Sequence, residues 1–241
     1  AGGWGVIVAL LLIFVFFLWS VLPLFQGATI ENRANYPING TGETLLLSLD
    51  EYNAIGLRIT DSGQIGFFAA KDGKSLLAVN IPASLASVSV LDEQQALSLA
   101  SKDGRVWLGQ PKYLQTHNEN TENKAKVTSR IMPEWIWENE GQPLSLNQHI
   151  RLMTARQNDE KLVIVGSNES QAASLFFYNK TANEITEEKT LAFAKKIILT
   201  LDFSPDFILL DQNLERLYIA NKNGEVYLYK INDEENIVGQ K

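Results

Sequence analysis

Hydrophobic residues run almost unbroken at the start of this chain and alternate with polar ones afterwards. No residue from Gly2 to Phe25 is charged, and every position from Val6 to Trp19 is aliphatic or aromatic. A helix needs about 20 apolar residues to cross the hydrocarbon core of a bilayer, and it satisfies its own backbone hydrogen bonds there. The pattern predicts one transmembrane helix over residues 1–25. Trp4 and Trp19 stand near its two ends, where indole rings favour the interface, and Pro23 and Gly27 mark its exit. The rival is a cleaved signal peptide, whose apolar core is shorter, about 7–15 residues, and ends at a small-x-small site. Leu22-Pro23-Leu24-Phe25-Gln26 is a poor site of that kind, so an anchor is the expectation. The first cation after the helix is Arg33. Sparse positive charge on this flank favours the non-cytoplasmic side for the rest of the chain.

Residues 26–43 form a polar linker with Pro37, Gly40 and Gly42. From Thr44 the chain turns to short apolar runs separated by Gly, Asp and Asn. Strands are expected at 45–49, 54–60, 64–70, 75–81, 87–91, 96–101, 105–109 and 130–137. Later ones are expected at 150–155, 162–166, 174–178, 196–202, 207–211, 216–221 and 225–231. Many short strands with evenly spaced turns indicate a sandwich, barrel or propeller. Asp92–Ser101 is the one stretch that also fits a short helix. The polar run Gln115–Lys126 reads as an exposed loop or disordered insertion.

Two segments repeat without gaps. Ala96-Leu97-Ser98-Leu99-Ala100-Ser101-Lys102-Asp103-Gly104-Arg105-Val106-Trp107-Leu108 matches Arg216-Leu217-Tyr218-Ile219-Ala220-Asn221-Lys222-Asn223-Gly224-Glu225-Val226-Tyr227-Leu228 at six of 13 positions. Asp-Gly and Asn-Gly at the centre favour tight hairpins, whose turns need positive φ. Gly104 and Gly224 lie 120 positions apart, and Gly63 lies 41 before Gly104. Propeller blades of the WD40 type recur every ~40–45 residues. Residues 162–166 and 175–178 look like the same hairpin with a longer tip. The expected fold is mainly β: propeller-like repeats of antiparallel hairpins over residues 44–241, preceded by the transmembrane helix. About four blades fit, at the lower limit for a closed ring. An incomplete ring, with the domain continuing past Lys241, is therefore also expected.

The net charge of −7 lies wholly outside the apolar helix. It opposes wrapping nucleic acid, which takes concentrated Lys and Arg. With no cysteine in the chain, disulfides, thiolate chemistry and Cys-ligated metals are excluded. His117 and His149, the two histidines, make a weak metal case. There is no phosphate-binding Gly-rich loop and no Gly-x-Ser-x-Gly elbow. Asp202, Asp206 and Asp211 fit turn capping better than a carboxylate or Ca²⁺ site. Lys195-Lys196 reads as a solvated turn. The expectation is a non-enzyme with no cofactor and no metal. Trp135 and Trp137 fall on one face of a strand by alternation. Core packing is the first reading of that pair, and an interaction patch is the functional one.

The order of segments suggests a family. Ala9–Phe25, followed by Gly27-Ala28, resembles the first membrane helix of the long proteobacterial form of the phosphate ABC transporter permease (PstC-like). In that form a large WD40-like extracytoplasmic domain lies between the first helix and the others. The resemblance implies an N-terminal part of an inner-membrane importer, with the β domain in the periplasm as a docking or regulatory module. It implies the lipid bilayer, other permease subunits and a periplasmic substrate-binding protein as partners. It supplies no functional residue, and an anchored scaffold unrelated to transport is the alternative.

Overall fold

The apolar start of the chain is helix α1, Gly2–Val21, followed by a 3-10 turn, Leu22–Phe25. It is long and apolar enough to cross a membrane. Those properties serve an anchor and a signal sequence alike. A computed structural model describes residues 2–25, 35–118, 128–182, 189–232 and 237–240. The chain divides into two units, Ala1–Tyr36 and Pro37–Lys241.

The second unit is built from four antiparallel sheets, each a meander whose strands pair with their neighbours in sequence. The first sheet holds β1 (Thr44–Leu49), β2 (Ile55–Thr60), β3 (Gln64–Ala69) and β4 (Ser75–Asn80). The second holds β5 (Leu85–Val90), β6 (Leu97–Ser101), β7 (Arg105–Asn118) and β8 (Thr128–Trp137), with β9 (Leu144–Ser145) added beside β7. The third holds β10 (Leu152–Gln157), β11 (Lys161–Ser167), β12 (Ala172–Ala182) and β13 (Lys189–Thr200). The fourth holds β14 (Phe207–Leu210), β15 (Arg216–Ala220), β16 (Val226–Ile231) and β17 (Ile237–Gln240).

The turn chemistry repeats with the sheets. The first turn of each is closed by one acidic or amide side chain that accepts two backbone N–H bonds. Asp50 Oδ1 takes those of Ala54 (2.6 Å) and Ile55 (2.9 Å), and Asp92 Oδ1 those of Gln94 (2.9 Å) and Ala96 (3.1 Å). Asn158 Oδ1 serves Glu160 (3.0 Å) and Lys161 (2.7 Å), and Asp211 Oδ1 serves Glu215 (2.8 Å) and Arg216 (2.9 Å). Short Asp and Asn side chains mimic a backbone turn in this way. In the second turn Gly63, Gly104 and Gly224 have φ of 86°, 88° and 90°. At Gly104 a Cβ would also stand 2.1 Å from the Gln148 carbonyl oxygen. Glycine is required there on both counts.

Alternation along each strand gives every sheet two faces, and the sheets stack face to face in chain order. One core lies between the first and second sheets, centred on Leu57, Ile59, Phe67, Leu99 and Trp107. Another lies between the second and third, with Val106, Leu108, Leu162 and Ile164. The third lies between the last two, with Val165, Phe177, Leu217 and Ile219. The first strands adjoin in order, β1 on β5, β5 on β10 and β10 on β14. This is the blade arrangement of a propeller, and the four blades do not form a closed sheet.

Three expectations are corrected. Residues 92–101 are no helix: Asp92 closes a turn in which Gln95 takes a φ of 63°, and β6 follows. The polar residues 115–118 belong to β7, paired with 128–131 of β8, so the hairpin runs beyond the sheet. A two-stranded ladder satisfies its backbone without an apolar face. Residues 119–126 of that expected loop lie outside the described residues. Lys195 and Lys196 are on β13, opposite Phe177 and Phe176, rather than in a turn.

Candidate functional site: the mouth of the central funnel

The first strands line a funnel, and their N-terminal ends form its mouth. There the β2–β3, β6–β7 and β11–β12 turns reach the same level as the starts of β1, β5 and β10. Together they line an open cavity of about 700 Å³. Its floor is apolar: Leu45, Leu85, Ala86 and Ile150. Its rim is charged and mixed in sign, with Glu43, Asp61 and Glu169 against Lys102 and Arg151.

The rim is fixed by backbone geometry. Asp61 Oδ1 accepts from the Glu43 N–H at 2.7 Å, and the Leu85 N–H donates to the Asp61 carbonyl at 2.7 Å. The Lys102 carbonyl accepts from the Ile150 N–H at 3.1 Å and lies 3.0 Å from His149 Nδ1. Asn168 Oδ1 accepts from the Ser170 N–H at 2.8 Å. Arg151 donates from Nη2 to the Pro205 carbonyl, reaching toward the fourth sheet. Among the described residues, no hydrogen bond at the mouth pairs a nucleophile with a base. An apolar floor under a rim of both signs suits non-covalent binding of a polypeptide segment.

The sequence-derived candidates fall elsewhere. Trp135 is 8% exposed in the core between the first two sheets, 6.5 Å from the Phe67 ring. Its Nε1 is buried without a hydrogen-bond partner. Trp137 is half-buried and meets Trp135 edge to face at 5.5 Å. The pair is thus part of the packing between sheets. Asp211 closes a turn, Asp206 Oδ2 accepts from the Lys222 N–H at 2.9 Å, and Asp202 Oδ2 accepts from the Tyr227 hydroxyl at 2.6 Å. Lys196 lies 4.9 Å over the Phe176 ring and donates to Gln148 Oε1 at 3.2 Å. His117 stands on β7 opposite Ser129. Among the described residues no group of three or more His, Asp or Glu is arranged to hold a metal. Sequence reasoning did not find the mouth. Only the starts of the first strands, once aligned by the repeat, would have pointed to it.

No family model matches the chain, and no curated protein matches it. Solved structures with similar folds include the WD40 domain of SCAP from fission yeast, at 14% identity and a TM-score of 0.46 over 85% of this chain and 42% of that one. The WD40 domain of Toxoplasma gondii coronin aligns at 12% identity and 0.45, over 81% of this chain and 44% of that one. The computationally designed Ika4 protein aligns at 13% and 0.47, over 84% of this chain and 100% of that one. The chain spans less than half the length of SCAP's WD40 domain and of Kluyveromyces lactis Hsv2, which it covers by 42% and 48%. The blade architecture itself rests on the sheet order and packing described above.

Proposed function

We propose that this chain is a membrane-anchored docking module whose funnel mouth receives a protein partner. The observation that carries this reading is the mouth itself, an apolar floor within a rim of both charges. The apolar helix supports attachment to a bilayer. The finer reading makes the chain the N-terminal part of an ABC importer permease, with the β domain in the periplasm. The partner is then a substrate-binding protein, held near the other permease subunits. Its support is the resemblance of residues 9–25 to a permease first helix and the order helix, linker, blades. The alternative is an anchored envelope scaffold with no role in transport.

Reporter fusions after Gly42 and after Lys241, in the protein as its gene encodes it, test the finer reading. Two extracytoplasmic reporters with membrane helices beyond support it, and a cytoplasmic reporter after Gly42 ends it. The docking reading is tested by cross-linking from the mouth in membranes. Reversing two rim charges, Lys102→Glu with Arg151→Glu, is expected to abolish a cross-linked partner. A partner captured equally by the double variant rules out this mouth as the docking surface.

A further inference from the structure

The side chains that close the first turns supply an internal comparison. In the third sheet the role falls to Asn158, so such a turn needs one oxygen and no charge. In the second sheet Asp92 brings a second oxygen, and the third sheet answers it. Gln157, the residue just before Asn158, donates from Nε2 to Asp92 Oδ2 at 2.7 Å. In the first sheet Asp50 also brings a second oxygen. The second sheet does not answer it in that way, because the residue just before Asp92 is Leu91, whose side chain has no donor. Asp50 is 6% exposed, and its Oδ2 is buried without a hydrogen-bond partner. A buried carboxylate oxygen without a donor forfeits its hydration and gains nothing in exchange. Closing the turn does not account for it.

Asp50 lines an open cleft of about 570 Å³ between the first and second sheets, at the end of the funnel away from the mouth. Glu51 and Tyr52 belong to the same turn, Glu93 comes from the first turn of the second sheet, and Lys112 and Tyr113 come from β7. The carboxylates of Asp50, Glu51 and Glu93 thus outweigh the ammonium of Lys112, which makes no hydrogen bond to Asp50 Oδ2. The Asp50 charge is felt within the cleft: after burial, it is the second cause that pushes the Tyr113 phenol up to about 12. Tyr52, 64% exposed, offers a second ring that a ligand can reach.

Carboxylates beside aromatic rings are surroundings that hold an organic cation. A charged N–H donor is also the strongest partner that a bare carboxylate oxygen can take. Of the two common organic cations, the guanidinium is planar, stacks on aromatic faces and gives up its water more readily than an ammonium. We propose that this cleft binds a guanidinium group, with Asp50 as its acceptor and the rings of Tyr52 and Tyr113 against its faces. The site is separate from the funnel mouth and stands independently of the docking and permease readings.

Isothermal titration calorimetry of the full chain in detergent tests the proposal. The probes are acetyl-arginine amide and acetyl-citrulline amide, which has nearly the same shape and no charge. Saturable binding of the arginine compound is expected, with the citrulline compound at least about tenfold weaker. Asp50→Asn keeps the oxygen that closes the turn, as Asn158 does, and is expected to weaken the arginine compound by about tenfold or more. Tyr52→Ala alters an exposed ring and is expected to weaken it by about threefold, so the test holds even if Asp50→Asn lowers the thermal midpoint. Free arginine distinguishes the source of the group. Tighter binding of the amide assigns the cleft to a side chain of a polypeptide, tighter binding of free arginine assigns it to a small molecule, and either supports the site. Equal binding of the arginine and citrulline compounds, no binding of either, or undiminished affinity in both variants overturns it.

Discussion

Gly109 lies directly beneath the indole of Trp135: a Cβ on Gly109 would stand 2.5 Å from Trp135 Cζ2. β7 therefore lacks a side chain where the indole from β8 crosses it, and this lets Trp135 reach the Phe67 ring of the first sheet. A well-packed interior gives way poorly to an added methyl. Gly109→Ala is expected to displace the indole and cost ~1–3 kcal/mol. Denaturation followed by tryptophan fluorescence measures both effects. An unchanged midpoint with unchanged native emission would refute this account of the junction.

Arg156 joins three sheets. From β10 it donates to the Val90 carbonyl of β5, and its Nε donates to the Leu210 carbonyl of β14 at 3.3 Å. A guanidinium can serve two carbonyls in fixed directions, and an ammonium cannot hold that fork. Arg156→Lys is expected to cost ~1–2 kcal/mol, the range for hydrogen bonds from a charged group after allowance for partial exposure. Urea denaturation gives the number. Limited proteolysis is expected to open the fourth sheet first, and cleavage beginning in the first sheet would contradict the assignment.

Hydrogen bonds from the Ser101 hydroxyl and the Arg105 guanidinium hold the Asp103 carboxyl at about 2, against an ordinary 3.8. A lowered folded-state pKa stabilises the fold above the unfolded value. That stability is lost as the pH falls from 3.8 toward 2. The Asp103–Arg105 pair is half in water, so the slope is shallow. Asp103→Asn is expected to flatten the stability profile in that window, with a small loss of stability at neutral pH and none below pH 2. At the other extreme, burial first and the Asp50 charge second push the Tyr113 phenol up to about 12. Tyr113 favours the folded state below pH 10.0, and the advantage fades as the pH climbs toward 12. Burial raises the Tyr178 phenol as well, so a near-ultraviolet titration is expected to show more than one late phenol, of which Tyr113→Phe removes one.

The helix is testable by itself. On the insertion scale an arginine at the centre of a spanning helix costs ~2.5–3.5 kcal/mol. Leu12→Arg is expected to shift the chain from the membrane pellet to the soluble fraction after alkaline extraction. Retention at the wild-type level would mean that α1 does not span.

Periodicity made the strands legible, because each sheet packs an apolar face on its neighbour and alternation writes that face into the sequence. The repeat at Gly104 and Gly224 likewise marked two second turns, since both need a residue with positive φ. Residues 115–118 were misread because hairpin ladders outside the core carry no apolar signal. β9 was missed because two residues paired with Arg105 and Val106 have no period to detect. The funnel mouth was invisible for another reason. Glu43, Lys102, Arg151 and Glu169 come from segments far apart in the chain, and only the stacking of sheets brings them to one rim. Trp135 and Trp137 were legible as neighbours on one face of a strand, with core packing as the first reading and an interaction patch as the functional one, because alternation alone does not say which face is covered.

Pairing confined to neighbours in sequence has a consequence for synthesis. A meander needs no residue beyond its own fourth strand, so the first sheet can close when Asn80 has emerged, well before Leu152 is made. Its covered face must then wait, wet and apolar, until the next forty or so residues arrive and fold against it. Nascent chains of this kind pass through a series of half-shielded intermediates, one per sheet. The dangerous moment recurs at each boundary between sheets, so pauses in translation or export are best tolerated within a sheet and worst tolerated just after one is complete.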